Sequence, residues 1–117
     1  MAPYTTTAAQ LFTDVLPAYL KEAALQFPGA ILFDIEGKNG GAWLVDFGAR
    51  TVTAGALSSG PAIKVVVKAY ERDFMALVEG RMSADDGLLT KRLHLAGDAV
   101  AIAQLMDVVE HLRSLLR

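Results

Sequence analysis

Several features are scarce or absent in this sequence, and each absence excludes a class of function. There is no cysteine, so disulfides, thiolate nucleophiles and sulfur-ligated metals are excluded. Eleven basic residues against thirteen acidic ones give a formal net charge of -2, without the basic excess that nucleic-acid binding normally requires. No apolar run reaches the roughly 20 residues that span a bilayer, and the start lacks the charged and apolar blocks of a signal peptide. We therefore expect a cytoplasmic protein without nucleic-acid partners.

Apolar residues, in contrast, are abundant. They make up 53% of the 117 residues, whereas charged residues make up 21%, a balance that excludes intrinsic disorder. The length predicts a single domain over residues 1–117. Because a domain of this size buries only about two-thirds of its unfolded surface, we expect the surplus of apolar side chains to line a cavity, a groove or an oligomer interface.

The first half of the chain predicts helix followed by strands. Thr7 and Gln10 have the spacing of a capping box, and apolar residues then recur at helical spacing, which predicts a helix or helix pair over residues 8–27 with a kink or break at Pro17. From Ala30 the period changes to two. Strands are predicted from residue 30, around 43–47 and at 51–54, with the first two joined by a glycine-rich turn at 38–41.

The second half predicts two more strands and two helices. Alternation from Ile63 predicts a strand, and residues 73–79 have helical spacing with Gly80 at the C-terminal position. Ser83 caps only a short turn in this interpretation, residues 90–95 form a strand, and Asp98 N-caps a long final helix with a wide apolar stripe. The order of elements predicts an α+β fold with an antiparallel or mixed sheet.

Motifs for catalysis or metal binding are missing from the sequence. His94 and His111 lie on different predicted elements, without the spacing of metal ligands. Serine-nucleophile and phosphate-loop motifs are also absent. Several charged residues share one predicted sheet face, where pairing between strands on a solvated surface is favoured over acid–base chemistry: Asp34, Glu36, Asp46, Lys64, Lys68, Arg92 and His94. We predict no catalytic residue, no metal and no cofactor.

The opposite sheet face is apolar and would lie against the apolar sides of the helices. Two interpretations remain open at this point, an ordinary packed core and an enclosed apolar pocket. The wide stripe of the last helix and the adaptable thioethers of Met75, Met82 and Met106 favour the pocket.

Three segments resemble the sterol carrier protein type 2 domain family. They are Gly41-Ala42-Trp43-Leu44-Val45-Asp46-Phe47, the stretch from Ala69 to Asp73-Phe74 with Gly80, and Lys91-Arg92-Leu93-His94-Leu95-Ala96-Gly97-Asp98 before an apolar helix. The resemblance spans roughly residues 8–116. With its alanine-rich composition and no peroxisomal signal, the chain looks more like the small stand-alone bacterial members.

The resemblance implies a five-stranded sheet covered on one face by helices, with an apolar tunnel between them. Such a tunnel would bind a fatty acid, a fatty acyl-coenzyme A, an isoprenoid, a phospholipid or a sterol without catalysis, and would transfer lipid through transient membrane contact. The protein would be a monomer or a homodimer. The residues expected to line the tunnel are Phe33, Ile35, Trp43, Val45, Phe47, Phe74, Val78, Met82, Leu89, Leu95, Met106, Val109 and Leu112.

Two alternatives come from other functional classes. In the first, the apolar C-terminal helix makes the chain an interaction module that forms a homodimer or docks on a larger enzyme. In the second, Asp34 or Asp46 serves a small isomerase-like enzyme with an apolar substrate.

Overall fold

A computed structural model describes residues 7–17, 29–38, 40–55 and 63–115. Its first helix, α1, covers Ala8–Gln10 and continues into a π-helical segment, Leu11–Val15. The predicted capping box is confirmed, because the Gln10 amide donates to Thr7 Oγ1 and the Thr7 amide donates to Gln10 Oε1, both at 3.1 Å. The remainder of the predicted helical stretch, residues 18–27, lies outside the described residues.

The first helix is irregular before Pro17, and the kink or break predicted at Pro17 itself stays a prediction because residues 18–27 lie outside the described residues. Residues 16–17 are still helical, and the wide turn precedes them, where the Leu16 amide donates to the Leu11 carbonyl. A proline has no amide to donate to the carbonyl four residues before it. In the π segment the hydrogen bond spans five residues instead of four, which makes this turn wider. The wide turn lies directly before Pro17, where the amide donor is missing.

Three antiparallel strands follow as a meander: β1 (Ala30–Glu36), β2 (Gly41–Asp46) and β3 (Thr51–Ala54). The predicted turn between β1 and β2 is present, and in it the Gly40 amide donates a hydrogen bond to the Gly37 carbonyl at 3.1 Å. Asn39 of this turn lies outside the described residues. The sequence-based prediction of the meander is therefore confirmed.

Two further strands complete a five-stranded sheet. β4 (Ile63–Tyr70) pairs in parallel with β1, and β5 (Leu93–Gly97) pairs antiparallel with β4. The strand order is β3-β2-β1-β4-β5, so the sheet is mixed. β5 begins later than predicted because residues 90–92 form a turn, in which Lys91 has a left-handed φ of 61°.

Three helices accompany the last two strands: α2 (Glu71–Val78), α3 (Ala84–Leu89) and α4 (Ala99–Leu115). α2 begins before its predicted start, with Glu71 and Asp73 in its first turn, where carboxylates favour the helix dipole. The predicted cap of α4 is confirmed by the Ala101 amide, which donates to Asp98 Oδ2 at 2.9 Å. No described helix is both long and apolar enough to cross a bilayer.

α3 is longer than the predicted turn. Ser83 caps it as expected, accepting the Asp86 amide at 3.1 Å, but the helix continues through Gly87. A Cβ at Gly87 would lie 3.0 Å from both Leu93 Cβ and Met82 Cε. Gly87 therefore suits the close packing of α3 on β5 and does not mark the end of a helix.

The helices pack on one face of the sheet, which we call the inner face. α1, the π segment, α2 and α4 contribute to one cluster of buried apolar side chains together with Ile31, Phe33 and Ile35 of β1 and the facing residues of β2, β4 and β5. The predicted α+β architecture, with helices covering one face of a five-stranded sheet, is confirmed.

The opposite, outer face is less uniformly charged than predicted. One row across it is polar as expected, since Asp34 pairs with Lys68 and Lys68 with His94, and Lys68 Nζ lies 3.9 Å from Asp34 Oδ2. The next row is apolar: Leu32 pairs with both Leu44 and Val66, and Leu44 is only 3% exposed. The outer face therefore carries an apolar row beside the predicted charged residues, because the alternation continues with leucine and valine.

Candidate functional site

Strand register aligns the apolar side chains of the inner face into rows. Phe33 lies opposite Trp43 on β2 and opposite Val67 on β4, and Val67 lies opposite Leu95 on β5. In the next row, Ile31 lies between Val45 and Val65. Because paired residues in adjacent strands point to the same face, each row forms a continuous apolar strip across the sheet.

A glycine at the start of β2 leaves room for the tryptophan of the first row. Gly41 has a φ of 147°, in the region that favours glycine. A Cβ built there would lie 2.9 Å from Trp43 Cη2, so the indole ring folds back over this residue. The orientation of Trp43 therefore depends on the glycine of the hairpin turn.

Four aromatic rings meet above the first row, and we call them the aromatic cluster: Phe12, Phe33, Trp43 and Phe74. Phe12 stacks on Trp43 with ring centroids 4.6 Å apart and an interplanar angle of 12°. It also lies 5.0 Å from Phe33 and 5.6 Å from Phe74, while Phe33 meets Phe74 edge to face at 5.7 Å. These separations are those at which aromatic pairs attract beyond simple burial.

The helices form the opposite wall of this apolar region. Phe74 and Val78 lie four residues apart on α2, so both face the sheet, and both are buried. Arg113 ties α4 to the end of α2, since its Nε donates to the Leu77 carbonyl at 3.0 Å and its Nη2 to the Met82 carbonyl at 3.3 Å. These bonds fix the loop that carries Met82 against the same wall.

Most of the thirteen residues predicted to line a tunnel come together on the inner face. Those fully buried in the single core cluster are Phe33, Ile35, Trp43, Val45, Phe47, Phe74, Val78, Met82 and Val109. Leu95 and Met106 are partly buried against it. The side chain of Leu112 lies outside the described part of the structure.

Leu89 is the residue that the structure places elsewhere. It is 81% exposed, because α3 turns only Gly87 fully inward and leaves Leu88 and Leu89 on the surface. Leu89 therefore does not belong to the buried apolar region that we treat as the candidate site.

Phe12 is a residue of this region that the sequence analysis did not predict. It lies in the helix predicted over residues 8–27, and spacing along one helix cannot show which strand the helix will meet. Gln104 of α4 is half-buried, and its Oε1 is buried without a hydrogen-bond partner among the described residues.

Charged groups take no part in the buried region. No polar or charged residue among those described is fully buried, and no three histidine or carboxylate side chains in the described ranges gather where they could hold a metal ion. Asp46 Oδ1 instead accepts the amides of Gly48 and Ala49 at 3.0 and 3.2 Å, which stabilises the turn after β2. The described residues of the buried apolar region can surround an apolar chain, and they include no pair of groups for acid–base chemistry.

A groove lies at the end of the sheet where β4 finishes and β5 begins. Its volume is about 490 Å³, and most of the residues that line it are of charged types. Apart from Ala69, these residues are not part of the buried core cluster, so the groove is distinct from the apolar region on the inner face. Its lining residues are Glu36, Lys68, Ala69, Tyr70, Asp73, Lys91, Arg92 and His94.

A protein-family model tests the family resemblance found in the sequence. The model of the SCP-2 sterol transfer family matches residues 10–110, which includes every element from the π segment to most of α4. The chain belongs to the SCP-2 sterol transfer family. The resemblance inferred from the three sequence segments is confirmed, and the family is one of lipid-binding domains.

Solved structures of sterol carrier proteins share the fold. The crystal structure of sterol carrier protein 2 like 2 from Aedes aegypti has a TM-score of 0.67 and 23% identity, covering 85% of this chain and 94% of that one. The solution structure of the palmitated form of that protein has a TM-score of 0.65 and 22% identity, covering 90% and 96%. Sterol carrier protein 2 from Yarrowia lipolytica in its apo form has a TM-score of 0.67 and 20% identity, covering 87% and 97%.

At these identities the structural likeness establishes the fold alone. No curated protein matches the sequence. Membership of the SCP-2 family thus rests on the family model, and the α+β architecture on the model and the structures together.

Proposed function

We propose that this protein binds the apolar chain of a lipid between the inner face of the sheet and the helices, and transfers it without catalysing a reaction. The observation that carries the proposal is the convergence of nine predicted lining residues in one buried apolar cluster. Family membership and a structural neighbour that is palmitated support a lipid as its occupant.

The proposed ligand class is a fatty acid, a fatty acyl-coenzyme A, an isoprenoid, a phospholipid or a sterol. Binding is driven by burial of methylene groups, each contributing about 0.8 kcal/mol, which corresponds to about fourfold in Kd per methylene.

We propose that the protein works in the cytoplasm as one domain over residues 1–117, as a monomer or a homodimer. One core cluster beneath one sheet supports the single domain.

The test is displacement of a fluorescent fatty acid by saturated fatty acids of increasing length, with palmitate as the reference probe. We expect affinity to rise with each methylene until the site is full. Absence of saturable displacement at every length, together with no lipid in an organic extract of the purified protein, would contradict the proposal.

A matched pair of variants locates the site. Val78→Phe places a phenylalanine at a buried position, and Leu89→Phe places the same side chain at an exposed one. We expect Val78→Phe to shorten the preferred chain while Leu89→Phe leaves it unchanged, with circular dichroism showing that both are folded. A preferred length that stays the same in both variants would place the ligand elsewhere.

We propose that transfer involves transient contact with a membrane through α3 and the turn after it. Leu88 and Leu89 are exposed apolar residues, and the exposed Lys91 and Arg92 follow them after Thr90. Exposed leucines suit insertion among acyl chains, and the adjacent cations suit anionic headgroups. This surface supports a bilayer containing anionic lipid as the partner.

Vesicle sedimentation tests the contact. Leu89→Ser and Arg92→Glu should each reduce binding to vesicles with anionic lipid. Val100→Ser and Lys64→Glu are controls for apolarity and charge at the opposite end of β5, where Gly97 lies opposite Val65. Equal binding by all four variants would exclude this surface.

The interaction-module alternative is not favoured by the position of α4. The residues of its apolar stripe that lie deepest, Leu105 and Val109, are already buried in the core cluster. In the described part of α4, Val100 is the exposed large apolar residue. We therefore do not propose the stripe of α4 as a docking surface.

A further inference from the structure

Phe12 occupies the centre of the region proposed to hold lipid. Its side chain is fully buried and its ring contacts Phe33 of β1, Trp43 of β2 and Phe74 of α2. These three partners belong to the predicted tunnel lining, whereas Phe12 comes from the helical segment that lies over them. The ring therefore fills space enclosed by the proposed lining residues.

We infer that Phe12 is a displaceable occupant of the lipid site, which fills the site when no lipid is bound and must move aside for an entering chain. The inference rests on the proposed function. Interiors are close-packed, so a ring stacked on Trp43 at 4.6 Å and an acyl chain cannot share the same space. Phe12 then sets a threshold for the chains that the site accepts.

The backbone around Phe12 is suited to such a movement. Phe12 lies in the π segment Leu11–Val15, and π turns are rare features that occur frequently at functional sites. The Thr13 hydroxyl also donates to the Ala9 carbonyl at 2.8 Å, a type of bond that often bends helices. The capping box at Thr7 and Gln10 fixes the start of the helix, so the π segment can change while the first turn stays in place.

Displacement lowers the observed affinity of the site. A ligand that binds only after the ring has moved has an apparent Kd equal to the Kd of the open site divided by the fraction of molecules in which the site is open. Moving the ring breaks the aromatic contacts of Phe12, and this cost lowers the open fraction by roughly tenfold. This factor is the same for chains of every length, so short chains, which bury few methylenes and bind weakly, are the first to fall below a detectable affinity.

The experiment compares wild type with Phe12→Ala, Phe12→Leu and the control Leu11→Ala. Leu11 is as fully buried as Phe12 and is its neighbour in the π segment, but it is outside the aromatic cluster. Palmitate and shorter saturated fatty acids are the probes. Trp43 is the only tryptophan of the chain and stacks on Phe12, so its fluorescence reports the position of the ring.

We expect Phe12→Ala to bind palmitate roughly tenfold more tightly than wild type and shorter chains more tightly by the same factor. Its tryptophan emission without lipid should already resemble that of wild type with palmitate. Phe12→Leu should be intermediate, and it serves alone if Phe12→Ala does not fold. Leu11→Ala should lose stability without any gain in affinity.

Each other outcome has a definite meaning. If wild type binds palmitate and the Phe12 variants bind it no more tightly than Leu11→Ala, Phe12 is an ordinary core residue and the inference is wrong, while the proposed function stands. If neither wild type nor any variant binds a fatty acid, both are wrong. Binding by Phe12→Ala alone would support the inference in its strongest form.

Discussion

The two faces of the sheet use apolar residues in different ways. On the inner face, aromatic and branched side chains from strands and helices form one cluster, in which the Phe12 ring contacts three other aromatic rings. On the outer face, a polar row containing Asp34 and Lys68 lies beside an apolar row containing Leu32 and Leu44. The comparison teaches that burial alone does not mark the site, because Leu44 is as buried as many inner residues.

What separates the faces is the origin of the contacts. The inner cluster joins residues from β1, β2, α2 and the π segment, so its shape depends on how layers pack. The outer row is made by neighbouring strands in register. Changes on the inner face should therefore affect ligand binding and stability together, and changes on the outer face should affect stability alone.

The largest effect should follow Phe33→Ala. The residue is 2% exposed and loses contacts with both Phe12 and Phe74, so we expect a loss of about 3–5 kcal/mol in the free energy of unfolding. Urea denaturation measures it, and palmitate affinity should fall in the protein that remains folded. A loss below about 1 kcal/mol would show that the aromatic cluster is loosely packed.

Leu44→Ala should have the next largest effect and tests the opposite face. A nearly buried leucine in an apolar row should cost about 2–4 kcal/mol when truncated, again by urea denaturation. Palmitate affinity should not change, because Leu44 faces away from the inner cluster. A change in affinity without a matching loss of stability would remove the distinction between the two faces.

Gln104→Leu should have a smaller effect of opposite sign. Its buried Oε1 has no partner among the described residues, and an unsatisfied buried acceptor costs about 1–3 kcal/mol. A leucine of similar length removes this cost, so we expect the free energy of unfolding to rise by about 1 kcal/mol. A decrease, seen as a lower Tm, would show that the amide has a favourable role.

Lys68→Ala should have the smallest effect. The Lys68 and Asp34 side chains are about half exposed and their charged atoms are 3.9 Å apart, and such surface pairs contribute about 0–1 kcal/mol. We expect a change below about 0.5 kcal/mol, which disappears in high salt. A larger change that persists in high salt would mean that the polar row stabilises the sheet by packing rather than by charge.

Local signals predicted most of the elements. The capping atoms of Thr7, Ser83 and Asp98 make the expected bonds, and period-two alternation located the strands of the meander. These features depend on neighbours a few residues away, so one sequence is sufficient to recognise them.

Features that depend on distant contacts were not predictable in the same way. Only a short turn was predicted after Ser83, but α3 continues through Gly87, which packs closely against Leu93 and Met82. Leu89 was predicted to line the tunnel, but its side chain is 81% exposed. The place of Phe12 in the aromatic cluster needed the docking of the first helix on β1 and β2, which the spacing of one element does not encode.

The parallel pairing of β1 with β4 has a consequence for how the chain folds. β1 meets β2 through a short turn, but it meets β4 only after residues far along the chain have returned, as in the pairing of Ile31 with Val65. Contacts of such long sequence separation slow folding because a large loop must close before they form. The hairpin of β1 and β2 can form early and alone, whereas the two strands at the centre of the inner face come together only when the chain has been synthesised beyond β4.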